Sequence, residues 1–100
     1  MTDARGPLDE TLAVVRSFQP RARAIGVEFI GIVGSVARGD AAPDSDVDVA
    51  YEATAEGHLW PLLGLVAEME DKLGRRIDLV DREMMPPDSW AWMARDLVRL

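Results

Sequence analysis

Apolar residues Leu8, Leu12, Val15 and Phe18 recur at helical spacing between Leu8 and Ala24, with Asp9 and Glu10 near the start. This pattern predicts an amphipathic helix that Pro20 ends or kinks. Val27–Val33 is a short apolar, β-branched run of the kind that forms a buried strand. It leads into Gly34-Ser35 and a helical turn over 36–38, and Gly39–Ser45, with Pro43 and two aspartates, predicts a loop. Residues 46–52 open with alternating aspartate and valine, the pattern of a strand with one polar face.

His58 to Leu73 carries Leu59, Leu62, Leu63, Val66, Met69 and Leu73 on one helical stripe, with Pro61 in the first turn and Gly74 placed as a C-terminal cap. Ile77–Val80 predicts a third strand, and Pro86-Pro87 forces an extended break. Asp88 or Ser89 then caps a last helix, with Trp90, Met93, Leu97 and Leu100 along one face. The order α-β-β-α-β-α describes an α/β (α+β) domain: a small mixed β-sheet with helices packed on one side.

Length and composition narrow the possible functions. One hundred residues fit one domain, 1–100, which buries roughly 65% of its unfolded surface. With 48% hydrophobic and 29% charged residues the chain has the composition of a globular protein. It has no cysteine, which excludes disulfides, thiol nucleophiles and Cys-based zinc sites, and one histidine, His58, which excludes a two-histidine site. No apolar run reaches membrane-spanning length and the first residues lack a signal-peptide core, so a cytoplasmic location with no membrane contact is expected. A net charge of −7 argues against a nucleic-acid partner, which needs clustered Lys and Arg. The basic residues are ten arginines and Lys72, a bias that points to no mechanism.

The densest chemistry lies between residues 34 and 48. Gly34-Ser35 is followed, after ten residues, by Asp46 and Asp48. Side chains alternate along a strand, so Asp46 and Asp48 share a face while Val47 and Val49 point into the core. Paired carboxylates repel unless a cation sits between them, and magnesium takes carboxylate and phosphate oxygens. The competing reading is a solvated, Asp-rich strand face, although aspartate is a poor strand former. Gly34 permits close backbone approach and Ser35 offers a hydroxyl to a phosphate; the competing reading is an ordinary N-cap. Asp78 interrupts the third apolar strand, either as a third convergent acid for a two-metal site or as a solvated strand-end residue.

Other acidic and glycine-rich motifs fail. An EF-hand loop starting at Asp44 would need Gly at Val49 and Glu at Ala55. Gly31-Ile32-Val33-Gly34 is not followed by the Gly-Lys-Ser/Thr of a Walker loop, and nothing suggests a sugar-sized groove between paired carboxyls.

Gly34-Ser35, Asp46-x-Asp48, the intervening Ala37-Arg38-Gly39 and the later Asp78 together resemble the DNA polymerase β-like nucleotidyltransferase superfamily, within it the minimal nucleotidyltransferase (MNT) proteins. The resemblance covers about residues 27–81. It implies that Asp46, Asp48 and Asp78 bind two magnesium ions, that Gly34 and Ser35 hold the triphosphate of ATP, and that Arg38 lies beside the site. It also implies attack of an acceptor hydroxyl on the α-phosphate with loss of pyrophosphate.

Minimal nucleotidyltransferases are often paired with a HEPN-domain toxin, some acting as antitoxins by transferring AMP to a toxin tyrosine. The expected partner is therefore a HEPN-domain toxin protein in a hetero-oligomer. Two alternatives stay open: a non-catalytic antitoxin that binds its partner stoichiometrically, and an antibiotic-type small-molecule nucleotidyltransferase. Trp90, Met93 and Leu97 are assigned to the core, while Trp92 falls off that stripe and, with Met84 and Met85, marks a contact surface. His58 is read as a helix-start residue. Arg75-Arg76 is read as a solvated turn, with a phosphate or partner role as the alternative.

Overall fold

The computed structural model describes residues 6–42 and 44–100. Helix α1 (Gly6–Ala24) leads into β1 (Val27–Val33), the short helix α2 (Gly34–Arg38) and β2 (Val47–Ala53). Helix α3 (Leu59–Leu73), β3 (Ile77–Asp81), a 3-10 turn, α4 (Pro87–Ala94) and a two-residue strand, β4 (Val98–Arg99), complete the chain. The sheet order is β3-β2-β1-β4, with β1 antiparallel to both β2 and β4 and β2 parallel to β3. The mixed α/β architecture agrees with the sequence expectation. Strand β4 was not expected.

Two layers of packing meet at the sheet. On one face Leu12, Val15 and Phe18 of α1 and Leu62, Val66 and Met69 of α3 close over Val27, Phe29, Ile32, Val47, Val49 and Ile77. Phe29, Ile32, Leu62 and Met69 are among the largest fully buried side chains, each contributing about 1.5–3 kcal/mol of burial free energy. On the other face Ile30, Val33 and Ala50 form a smaller cluster with Val80, Trp90, Met93 and Leu97. Helix α4 thus adds partial cover to the face opposite α1 and α3.

A β-bulge sorts β1 between these clusters. Phe29 pairs with Tyr51 and Gly31 with Ala50, so Ile30 is an extra residue on β1. The extra residue reverses the alternation, and both Phe29 and Ile32 face the helices. Gly31 then pairs with Arg99, and a Cβ at Gly31 would run into the carbonyl oxygen of Val98. Beyond this short pairing β1 has an uncovered edge, where Gln19 takes the place of a strand. Its amide accepts from Phe29 N–H and donates to Phe29 C=O, each at 2.9 Å.

Three boundaries differ from expectation. Helix α1 continues through Pro20, because both Pro20 and Arg16, the residue whose carbonyl loses its partner, are exposed to water. The last helix stops at Ala94 instead of carrying Leu97 and Leu100 on its stripe, and Leu100 N–H instead bonds Ile30 C=O. Neither Asp88 nor Ser89 caps α4: Pro86 holds the cap position, Pro87 begins the helix, and no side-chain cap bond forms. Gly74 does close α3 in the left-handed conformation, its N–H donating to Glu70 C=O at 2.8 Å.

Candidate active site

Strand register creates the site. Val33, the last residue of β1, lies opposite Asp48 on β2, and Asp48 lies beside Asp78 on β3. Cross-strand partners project to the same face, so Val33, Asp48 and Asp78 form one row across three strands. The row lies on the α4 side of the sheet, at the end of β1 from which the Gly34-Ser35 turn departs. Asp46 stands just before β2, exposed and outside the ladder, because pairing begins at Val47, whose N–H donates to Arg76 C=O at 2.9 Å.

Gly34 is required by two separate constraints. Its φ is +76°, a conformation L side chains rarely adopt, and a Cβ there would collide with Asp48 Oδ2. The turn and the carboxylate are therefore packed directly against each other. Val33 occupies the cap position of α2 in extended conformation, with no side-chain cap bond. Ser35 does not cap the helix; its carbonyl instead accepts from Gly39 and Asp40 N–H at 3.0 and 3.1 Å.

Asp48 is half-buried, and its pKa is raised above the ordinary carboxylate value. Burial is the largest cause, followed by the charges of Asp78 and then Asp46, while Arg38 acts in the opposite direction. A carboxylate whose ionised form is disfavoured by burial and by neighbouring acids suits a hard divalent cation. Among the described residues, however, no group of three or more acids or histidines is assembled to hold a metal. Of the three expected acids, register brings Asp48 and Asp78 side by side and leaves Asp46 at the margin.

Arg38 is held by carboxylates on two sides, Asp40 at 3.2 Å and Asp96 at 3.3 Å. The sequence carried no signal for Asp96, which is 58 residues away in the chain. Arg75 differs from the solvated residue expected. It is half-buried and donates to Ser45 C=O at 3.3 Å and Ala42 C=O at 3.5 Å. Ser45 Oγ in turn accepts from Ala42 N–H at 2.9 Å, so Arg75 and Ser45 pin the loop that delivers Asp46. Arg76 remains exposed, and Trp92 and Met84 are exposed as expected.

Comparison with known proteins shows the family and the fold. The family model described as Polymerase beta, Nucleotidyltransferase matches residues 21–92. Over 73 residues, 73% of this chain and 74% of the relative, the sequence is 34% identical to the protein adenylyltransferase MntA of Thermococcus cleftensis (strain DSM 27260 / KACC 17922 / CL1). A solved structure described as a minimal nucleotidyltransferase superposes with a TM-score of 0.73 at 28% identity, covering 99% of this chain and 97% of the other.

Proposed function

The chain belongs to the polymerase β nucleotidyltransferase family, and from that premise we infer that it is a magnesium-dependent adenylyltransferase acting on a protein hydroxyl. The reading is carried by one observation: Asp48 and Asp78 in register beside the Gly34-Ser35 turn. The acceptor would be a tyrosine of a HEPN-type toxin, with this chain as its antitoxin. Support for a protein acceptor is the kinship with a relative named as a protein adenylyltransferase. The exposed Trp92 and Met84 offer apolar surface to such a partner.

Asp48 and Asp78, with Asp46 at the margin, would hold magnesium. Once bound, the metal would neutralise phosphate charge and favour the ionised acceptor oxygen. Ser35 contributes a hydroxyl that caps nothing and is free to bond a phosphate oxygen, while the missing Cβ at Gly34 leaves room for the Asp48 carboxylate. The acceptor oxygen forms a new bond to the α-phosphorus as the bond to pyrophosphate breaks, and the acceptor proton leaves to solvent. Arg38, oriented by Asp40 and Asp96, stands beside the row and opposes its negative charge.

The test is transfer from α-labelled ATP, with magnesium, to a co-expressed HEPN-type partner. Label on a partner tyrosine with wild type, and none with Asp48→Asn, is the expected result. No label, or equal label with the variant, refutes the reading. A non-catalytic antitoxin is favoured by the marginal position of Asp46; it predicts that Asp46→Asn and Asp48→Asn chains still protect cells from the partner.

A further inference from the structure

A cavity of about 530 Å³ opens at the uncovered edge of β1 and shares no lining residue with the acidic row. Four of the ten arginines meet there: Arg16 and Arg23 from α1, Arg82 after β3 and Arg99 from β4. In a chain of net charge −7 this is a local reversal of sign. Glu28 neutralises Arg23 at 3.0 Å and Glu52 neutralises Arg82 at 3.4 Å. Among the described residues Arg16 and Arg99 form no ion pair. Among the described residues, Arg16 and Arg99 are thus the two lining arginines that no carboxylate side chain pairs.

The cavity also has an apolar side. Phe29, Ile30 and Leu100 line it, and the backbone groups of Phe29 are already satisfied by Gln19. A strand added at this edge would find those groups taken, so the cavity is not built for an extended peptide. Its volume lies within the range of roughly 300–1,000 Å³ usual for small-molecule sites. Guanidinium forks match phosphate oxygens in pairs. Glu52 lies four residues along β2 from Asp48, roughly 13 Å at strand rise, so a ligand here would not overlap the acidic row.

We propose that this cavity binds a small phosphate monoester, a dianion with an apolar body, whose phosphate bridges Arg16 and Arg99. Its two negative charges face Arg16 and Arg99, and its body rests on Phe29, Ile30 and Leu100.

Phenyl phosphate serves as the probe, added to the ¹⁵N-labelled full chain in EDTA without magnesium and followed by amide chemical shifts. Saturable shifts at Phe29, Ile30 and Leu100 are expected. Arg16→Gln/Arg99→Gln is expected to weaken binding about tenfold or more, the loss of charge-assisted bonds. Both arginines are exposed, and retained spectral dispersion shows that the double variant folds. Glu28→Gln, which frees Arg23, is expected to tighten binding. The proposal is overturned by absent or non-saturating shifts, or by shifts confined to residues 34–38. Undiminished binding by the double variant overturns it too, as does equally tight binding of phenol or of sulfate at matched ionic strength.

Discussion

Replacing Asp48 by asparagine is expected to make the metal-free protein more stable at neutral pH while abolishing nucleotide transfer. The folded state holds Asp48 against Asp78 in adjacent strands, roughly 5 Å apart. At that distance two charges repel by about 0.8 kcal/mol in water and about 3 kcal/mol at an effective dielectric of 20. Asp48 is half-buried, so solvent screening reduces the cost to about 1 kcal/mol. Asparagine keeps the shape and removes the charge, and among the described residues no hydrogen bond or ion pair to the Asp48 side chain is lost. For a domain of this size that corresponds to a rise in Tm of about 4–8 °C.

The sign follows from the raised pKa. Below the ordinary carboxylate range both folded and unfolded chains carry a protonated Asp48 and nothing is lost. As pH rises through that range the unfolded chain ionises first, and wild-type stability falls until the raised folded pKa is passed. The substituted amide never ionises, so the gain of Asp48→Asn opens over that interval and then holds at neutral pH. The assay is thermal unfolding by circular dichroism in EDTA at pH 3 and pH 7. A destabilised variant at pH 7, or the same gain at both pH values, refutes the reasoning. Adding Asp78→Asn is expected to give much less than a second full increment, since the repulsion has already been removed.

Gly34→Ala combines a positive φ with a clash against Asp48, and is expected to cost about 1–3 kcal/mol, read as a lowered urea midpoint with unchanged slope. Gln19→Leu leaves the Phe29 N–H and C=O without partners at the strand edge and is expected to cost about 1–3 kcal/mol. Hydrogen exchange should accelerate at the Phe29 amide before it does at Ile32.

The elements with strong periodicity were legible in the chain: α1, α3 and the three main strands all follow their apolar spacing. The row of Asp48 and Asp78 was legible too, because acids that interrupt two apolar strands fall on one face once those strands pair. Strand β4 was not, since two residues carry no alternation and Leu97 continues a helical stripe that α4 abandons at Ala94. The Ile30 bulge left no mark because a run apolar at nearly every position reads the same in either phase. Asp46 was placed in a strand by alternation, but the ladder starts one residue later. The clasps on Arg38 from Asp96 and on Ser45 from Arg75 join distant parts of the chain, which local pattern does not record.

The Ile30 bulge is also a phase shifter between two halves of one strand. Before it, β1 is timed to the helix-covered core; after it, the same strand is timed so that Val33 stands level with Asp48 and hands the chain to Gly34. Because Ile30 is the surplus residue, deleting it would leave Phe29 against Tyr51 and Gly31 against Ala50 in a regular ladder, whereas one residue inserted beyond it would turn Val33 and Gly34 to the other face. Anyone grafting the Gly34-Ser35 turn onto another scaffold would have to keep Val33 level with an aspartate on the neighbouring strand, because the motif comprises the strand's timing as well as its residues.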